Sequence, residues 1–359
     1  MKILFLIPSL QIGGMERVMS QLLIEFSKKN NIEIHLMLYG KTREIVYDIP
    51  ESIIIHKPPF KFNNSIRFLH TLKTLKYLRK ETKNIHPDTI LSFGEIWNNL
   101  VLLALFKLKY PIYISDRNKP GKSLGKLQDY LRRKLYPNVT GIIAQTKYAK
   151  DFYSEFITTN KISVIGNPIK ILDEKVNIKK ENIVLTVGRL IKTKHHDELI
   201  KLFLRLNKSE WKLILVGGDA LNDNLSTSLQ NLIDENKANK QVILAGQQTD
   251  VATYYRKSKI FAFTSSSEGF PNVIGEAMSA GLPVISFDCV AGPSDMIENN
   301  VNGLLIDLFN YNEFEKKLSL LMEDENLRFR LGEKAKESIK RFDRSAIADS
   351  YFEFITQTL

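Results

Sequence analysis

An alternation that runs through the chain twice constrains its fold more than any other feature. Short β-branched and aromatic runs, KILFLI (2–7), IEIHLML (32–38), TILS (89–92), PIYIS (111–115), GIIAQ (141–145) and KISVIG (161–166), are separated by stretches of helical periodicity. A punctuated segment follows, GNPIKILDEKVNIKKEN (166–182), and the alternation restarts. Its second set is IVLTVG (183–188), WKLILVGG (211–218), QVILAG (241–246), KIFAFT (259–264), LPVISF (282–287) and NGLLI (302–306). Near-continuous apolar strands with helices between them imply parallel sheets covered on both faces. The expectation is α/β, with two doubly wound, Rossmann-like domains: residues 1–166, a linker at 167–182, and residues 183–341. The stretch 342–359 reads as a helix that returns to pack on the first domain. At 359 residues, each half is long enough for its own core.

Two helices of the first half show an apolar face. One places Met15, Val18, Met19, Leu22, Leu23 and Phe26 together. The other, residues 62–84, lines up Phe62, Ile66, Leu69, Leu72, Leu75 and Leu78 in a stripe, read as part of a membrane-facing surface or, alternatively, as a face turned to the core. Arg67, Lys73, Lys76, Arg79, Lys80 and Lys83 lie along or beside it. A second basic cluster is Lys119, Lys122, Lys126, Arg132, Arg133 and Lys134. Residues 1–166 carry 26 Lys+Arg against 13 Asp+Glu, whereas the remainder carries 25 against 27, so the whole excess of +11 belongs to the first half. Such a charge invites a nucleic-acid reading, but no zinc-finger spacing, ribonucleoprotein motif or basic zipper accompanies it. Nucleic acid is therefore not an expected partner. One cysteine, Cys289, cannot form an internal disulfide and points to a reducing compartment. MKILFLIPSL is read as a buried strand rather than a leader, and no apolar run reaches the roughly 20 residues of a membrane span.

In such sheets ligands bind at the carboxyl ends of the strands. PSLQIGG (8–14) joins the first strand to its helix, and Gly13 and Gly14 let a ligand approach the helix start. The loop is not G-x-G-x-x-G, and the second strand ends in Tyr39-Gly40 without a carboxylate for a ribose, so a nicotinamide dehydrogenase is disfavoured. VGRLIKTKHH sets Arg189 at a strand end with Lys194 five residues on, two cations suited to a diphosphate. SSSEGFPNVIGE (265–276) puts Glu268 on a loop over a helix begun by Pro271, and Glu276 more than a turn further in.

These residues carry a resemblance. EGFPNVIGEAMSAGLPVI resembles the Glu–seven residues–Glu signature of family-four retaining glycosyltransferases, whose fold is GT-B, two Rossmann-like domains facing a central cleft. VGRLIKTK is similar to the family's diphosphate motif and LQIGGMER to its N-terminal Gly-Gly loop. The resemblance implies that Arg189 and Lys194 neutralise the departing diphosphate, Glu268 binds the donor sugar and Glu276 the ribose. It further implies that the backbone of Gly269, Phe270, Pro271, Asn272 and Val273 holds sugar and phosphate. Gly13 and Gly14 would close on the phosphate, and Gln247 and Val251 would flank the base. The chain departs from the family at ISDRNKP (114–120), where Asp116 and Arg117 stand in place of a histidine. Asp116 is expected to accept an acceptor proton, or Arg117 to bind an acceptor phosphate. Gly275 also replaces a larger apolar residue.

The implied function is retaining transfer of a hexose or N-acetylhexosamine from a nucleotide-sugar, a UDP-sugar in the first instance. The acceptor would be a glycan or a polyprenyl-diphosphate-linked glycan in surface polysaccharide assembly. No cofactor is expected, and the lack of an Asp-x-Asp pair leaves the two cations in the place of a metal. The expected location is the cytoplasm, with the basic first domain touching the anionic inner face of the cell membrane. A GT-B sugar-nucleotide epimerase and a non-catalytic polyanion-binding module are the alternatives; the first needs an acid/base set around the sugar that the sequence does not display.

Overall fold

The computed structural model describes residues 1–172, 178–220 and 223–358. The chain divides into two compact units, Met1–Pro168 with Arg344–Leu359, and Ile169–Asp343. Residues 173–177 of the expected linker lie outside the described residues. The parts on either side are packed: Asn167, Ile169 and Leu172 are buried, and the Glu181 N–H donates to the Lys257 carbonyl.

The first unit is built on a seven-stranded sheet in the order β3-β2-β1-β4-β5-β6-β7. Its strands are β1 (Lys2–Ile7), β2 (Glu33–Leu38), β3 (Ile54–His56), β4 (Thr89–Phe93), β5 (Ile112–Ser115), β6 (Gly141–Ala144) and β7 (Ile162–Val164). Every pairing is parallel, so each crossover carries a helix or loop over a sheet face. The helices are α1 (Gly14–Phe26), α2 (Arg67–Ile85), α3 (Glu95–Ala104), α4 (Lys126–Leu135) and α5 (Lys147–Ser154). The order reverses at β1/β4, the switch point where such sheets receive ligands.

The second unit repeats the plan with six strands in the order β10-β9-β8-β11-β12-β13. They are β8 (Ile183–Val187), β9 (Lys212–Val216), β10 (Val242–Gly246), β11 (Ile260–Phe263), β12 (Val284–Phe287) and β13 (Leu304–Ile306). The helices are α6 (His196–Arg205), α7 (Leu225–Glu235), α8 (Val251–Lys257), α9 (Asn272–Ser279), α10 (Pro293–Met296), α11 (Tyr311–Glu323) and α12 (Glu325–Ser338). Leu199, Phe203, Leu213, Ile285, Phe287 and Phe314 are among the fully buried side chains of its core. Each such residue contributes roughly 1.5–3 kcal/mol of burial.

The last helix, α13 (Arg344–Thr356), belongs to the first unit. Phe352 packs edge-on against Phe26 at 5.5 Å, Lys29 pairs with Asp349 at 2.5 Å, and the Thr89 hydroxyl donates to the Ile355 carbonyl. Where the second unit begins and ends, its two chain ends are joined: the Ile169 N–H donates to the Phe342 carbonyl at 2.8 Å.

The apolar stripe of α2 lies largely outside the core. His70, Thr74, Leu78, Thr82 and Ile85 are buried, whereas Ile66, Phe68, Leu69 and Leu72 are exposed, Phe68 by 75%. The reason lies in the spacing. Leu69, Leu72, Leu75 and Leu78 step by three, and three residues turn about 300°, so the row slips about 60° per step and winds off the core. The buried row steps by four from His70 to Thr82 and by three to Ile85. Thr74 can lie within it because its hydroxyl donates to the His70 carbonyl at 2.8 Å.

Candidate active site

The loops at the carboxyl edge of the second sheet gather Lys194 and Glu268. β8 ends at Val187, and after Gly188 and Arg189 the chain makes a short 3-10 turn, Lys192–Lys194. Lys194 Nζ lies 2.7 Å from Glu268 Oε1, both side chains largely buried at 13% and 16% exposure. The same ammonium sits 4.5 Å from the centre of the Phe263 ring. Ser265 Oγ donates to that same Glu268 oxygen at 2.5 Å. One oxygen of Glu268 is thus occupied twice, which fixes the direction of the other. Arg189 is exposed at the strand end, without an ion-pair partner among the described residues.

Glu268 leads into Gly269, Phe270 and Pro271, and then α9. Pro271 is the residue before the helix, which starts at Asn272, and no side chain caps it. The ring of Phe270 points inward and meets Phe342 at 5.6 Å, so only its backbone remains for a ligand. Gly269, Asn272 and Val273 are half-buried. Glu276 is held from α8: the Tyr255 hydroxyl donates to its Oε2 at 3.1 Å. Tyr255 is itself fully buried, a positioning group that the sequence reading missed because nothing in VATYYRK distinguishes one tyrosine from the next.

A groove lined by Leu190, Gly217, Gly218, Asp219, Ser226 and Leu244 opens beside Arg189, at the carboxyl ends of β8, β9 and β10. Gly217 (φ 151°) permits it: a Cβ there would strike the Gly188 carbonyl. Gln247 is close by, since a Cβ added at Gly218 would lie 3.6 Å from its own, and Val251 starts α8. The Gly-Gly of VGGD at a strand end was the available signal for these residues.

In the first unit, Gly13 is extended before α1, and Tyr47 clasps it. The Tyr47 hydroxyl donates to the Gly13 carbonyl at 2.9 Å and accepts from its N–H at 3.1 Å. The Glu16 carboxylate folds back over Gly13, so an anion arriving at this helix start would have to displace it. Gly14 has open space around it.

Asp116 is a correction to the expected acceptor chemistry. It is 5% exposed, and its carboxylate faces inward. Tyr136 donates to Oδ1 at 2.7 Å, Asn98 to Oδ1 at 2.8 Å, and Tyr153 to Oδ2 at 2.5 Å. Burial, reinforced by nearby Glu95, raises its pKa to about 7. Three donors and a lack of exposure leave it nothing to offer an acceptor. Arg117 is likewise engaged, donating to Ser115, to Tyr351 of α13 and to Asn167, with its guanidinium over the Phe93 ring at 4.9 Å. Glu95 organises the loop between them and the surface: its Oε1 accepts from the N–H groups of Arg117 and Asn118.

Known proteins share this organisation. The model described as Glycosyltransferase Family 4 matches residues 12–171, and that described as Glycosyl transferases group 1 matches residues 169–338. A Campylobacter jejuni relative, N-acetylgalactosamine-N,N'-diacetylbacillosaminyl-diphospho-undecaprenol 4-alpha-N-acetylgalactosaminyltransferase, is 31% identical over 97% of this chain and 98% of its own. The Erwinia amylovora amylovoran biosynthesis glycosyltransferase AmsD is 27% identical over 91% of this chain and 92% of its own. Among solved structures, the lipopolysaccharide outer core galactosyltransferase WaaB superposes with a TM-score of 0.79 at 24% identity, covering both chains fully. Anabaena HepE in complex with UDP gives 0.81 at 18% identity, over 99% of this chain and 100% of its own. These structural likenesses establish the fold, two Rossmann-like units of GT-B type, and the full-length 31% relative establishes the lineage: the chain belongs to the family 4 glycosyltransferases.

Proposed function

We propose that this glycosyltransferase moves a hexose or N-acetylhexosamine from a UDP-sugar to a glycan or polyprenyl-diphosphate-linked acceptor during surface glycan assembly, with retention at the anomeric carbon. The observation that carries the reading is the Lys194–Glu268 pair beside an uncapped helix start, with Ser265 holding the same carboxylate oxygen. The acceptor hydroxyl oxygen bonds to the anomeric carbon as the bond from that carbon to the UDP phosphate oxygen breaks. UDP leaves with the electron pair, its diphosphate gains charge, and the departing phosphate oxygen takes the hydroxyl's proton. Lys194, already desolvated, and Arg189, at the strand end, stabilise that charge, and such stabilisation is the main source of acceleration in this kind of catalysis. The free oxygen of Glu268 accepts from a sugar hydroxyl. Gly269–Val273 supply backbone N–H groups, and Glu276, steadied by Tyr255, takes the ribose diol. Gln247 and Val251 border the base, and Gly13 and Gly14 approach the phosphate. The relatives named above as polyprenyl-diphosphate-dependent or polysaccharide-forming enzymes support the acceptor class.

The exposed face of α2 supports a peripheral membrane location. Phe68, Leu69 and Leu72 interleave there with Lys73, Lys76 and Lys80, an apolar-and-basic surface suited to the anionic inner face of the cell membrane. No helix among the described residues is long and apolar enough to cross a membrane.

Calorimetric titration of UDP tests the donor assignment. Glu276→Ala should weaken free UDP at least tenfold, whereas Glu268→Ala should leave UDP affinity within about threefold while transfer collapses. Equal loss of UDP affinity in both variants would refute the division of roles.

A further inference from the structure

The residue after Lys194 stands in an unusual conformation. His195 has φ 51° and ψ 42°, the left-handed region that side chains with a Cβ seldom occupy. Eight other non-glycine residues among those described share it, so the conformation by itself marks no site, and His195 stands out by its neighbours. Its backbone is bonded within the turn and into α6: the His195 N–H donates to the Lys192 carbonyl and the Leu199 N–H to the His195 carbonyl, both at 3.1 Å. Further contacts come from the loop that carries Glu268 and from Phe309. His195 Nε2 lies 2.9 Å from Ser266 Oγ, and the ring meets Phe309 edge-on at 5.3 Å. The Thr264 hydroxyl donates to the Lys194 carbonyl at 2.8 Å, and the Ser266 N–H donates to the Thr193 carbonyl at 2.8 Å.

Ser266 Oγ also lies 3.3 Å from the Thr193 carbonyl, which can only accept. With the hydroxyl proton on that carbonyl His195 donates from Nε2, and in the other tautomer the hydroxyl donates to Nε2; both arrangements keep the 2.9 Å link. The imidazole therefore holds Ser266, and through it the loop Ser266–Glu268, against the turn that presents Lys194.

We infer that His195 is a positioning residue for sugar transfer: its left-handed backbone and its Nε2 link to Ser266 clamp the Lys194 turn to the Glu268 loop, fixing the phosphate-side cation and the sugar-side carboxylate as one unit. This rests on the donor-site reading above. The imidazole itself contacts neither reacting group, and its effect is exerted through Ser266. A misplacement of even about 1 Å at such a site is costly to turnover.

Glycine at 195 separates a clamp from mere packing, because it adopts the left-handed conformation freely while lacking the ring. The experiment compares His195→Gly, Ser266→Ala, the double variant and Lys194→Ala. It measures thermal midpoint, UDP affinity, and UDP release from a mixture of UDP-glucose, UDP-galactose and their N-acetylated forms. The expected result is a midpoint in His195→Gly close to wild type, UDP affinity within about twofold, and turnover lower on the order of tenfold. Ser266→Ala should lose a similar amount, and the double variant no more than either single one, because both remove the same link. Normal turnover in His195→Gly, beside collapsed turnover in Lys194→Ala, would overturn the inference. So would losses that multiply in the double variant, or a fall in UDP affinity as large as the fall in turnover. Normal turnover in Lys194→Ala would instead refute the catalytic reading of that lysine.

Discussion

Replacing Asp116 by asparagine should abolish a pH dependence of stability that the wild-type chain carries. Burial raises the pKa of this carboxyl from 3.8 to about 7. Between those values the folded protein holds a proton that the unfolded chain has released. The stability gained by keeping the group neutral is fully present below the unfolded pKa and is lost as pH rises through the folded one. Each pH unit within that window is worth at most about 1.4 kcal/mol, and the loss tapers as the folded group begins to ionise near pH 7. Wild type should therefore lose about 2 kcal/mol between pH 5 and pH 7, relative to a variant that cannot ionise. For a unit of this size that is a midpoint difference of roughly 4–8 °C. Asparagine fits the same partners: its oxygen accepts from Asn98 and Tyr136, and its amide faces Tyr153, whose hydroxyl turns to accept. Thermal unfolding of both proteins from pH 5 to pH 8.5 at fixed ionic strength measures the effect. Parallel midpoint curves would show that Asp116 does not hold a proton in the folded state. UDP release should stay within about threefold of wild type; a hundredfold loss would restore Asp116 as the group that takes the acceptor proton.

Arg189→Ala or Lys194→Ala should reduce turnover by at least about a hundredfold with little change in thermal midpoint, and near-normal turnover in both would remove them from the site. Gly275→Ala should destabilise by about 1–2 kcal/mol in urea unfolding: a Cβ there would lie 2.8 Å from two Ile169 side-chain carbons, and this overpacking outweighs the helix-propensity gain. A more stable variant would show that Ile169 moves aside easily. Sedimentation with liposomes should require anionic lipid, weaken at high salt and fall when Lys73, Lys76 and Lys80 become Glu; equal binding to neutral vesicles, or none to either kind, would refute membrane contact through α2. Tyr255→Phe should weaken UDP about three- to tenfold by loosening Glu276, and unchanged affinity would mean the hydroxyl does not position that carboxylate.

The parallel strands were legible because a strand buried on both faces leaves an unmistakable apolar run, and ILFLI or FAF could serve no other element here. The edge strand β3 was missed, since Ile54–His56 is too short and too exposed to show such a run. For helix α2 the leucine spacing of three shows a row that winds off any one face, and the buried row is held by contacts remote in sequence: Glu81 bonds His56, which bonds His35 on the neighbouring strand. On the donor side, Arg189, Lys194, Glu268 and Glu276 stand in motifs whose local order carries their geometry. Tyr255 and His195 do not, because each acts through a contact distant in sequence, and Ser265 is one of three adjacent serines that the sequence does not tell apart. Asp116 sits at the carboxyl end of a strand, where ligands usually bind, and only its two tyrosine partners, from α5 and the segment after α4, turn it inward.

The assignment of α13 to the first unit bears on how the protein is made. On the ribosome, residues 169–343 emerge as one uninterrupted unit and can fold as soon as they are complete. The first unit, although synthesised earlier, lacks the helix that covers Phe26 and receives the Thr89 hydroxyl until residues 344–358 have been made. The amino-terminal half is thus the last to mature. A nascent or truncated chain ending near Asp343 would combine a finished second unit with a first unit whose Phe93 and Tyr113 lack their cover, a species disposed to aggregate or to engage chaperones.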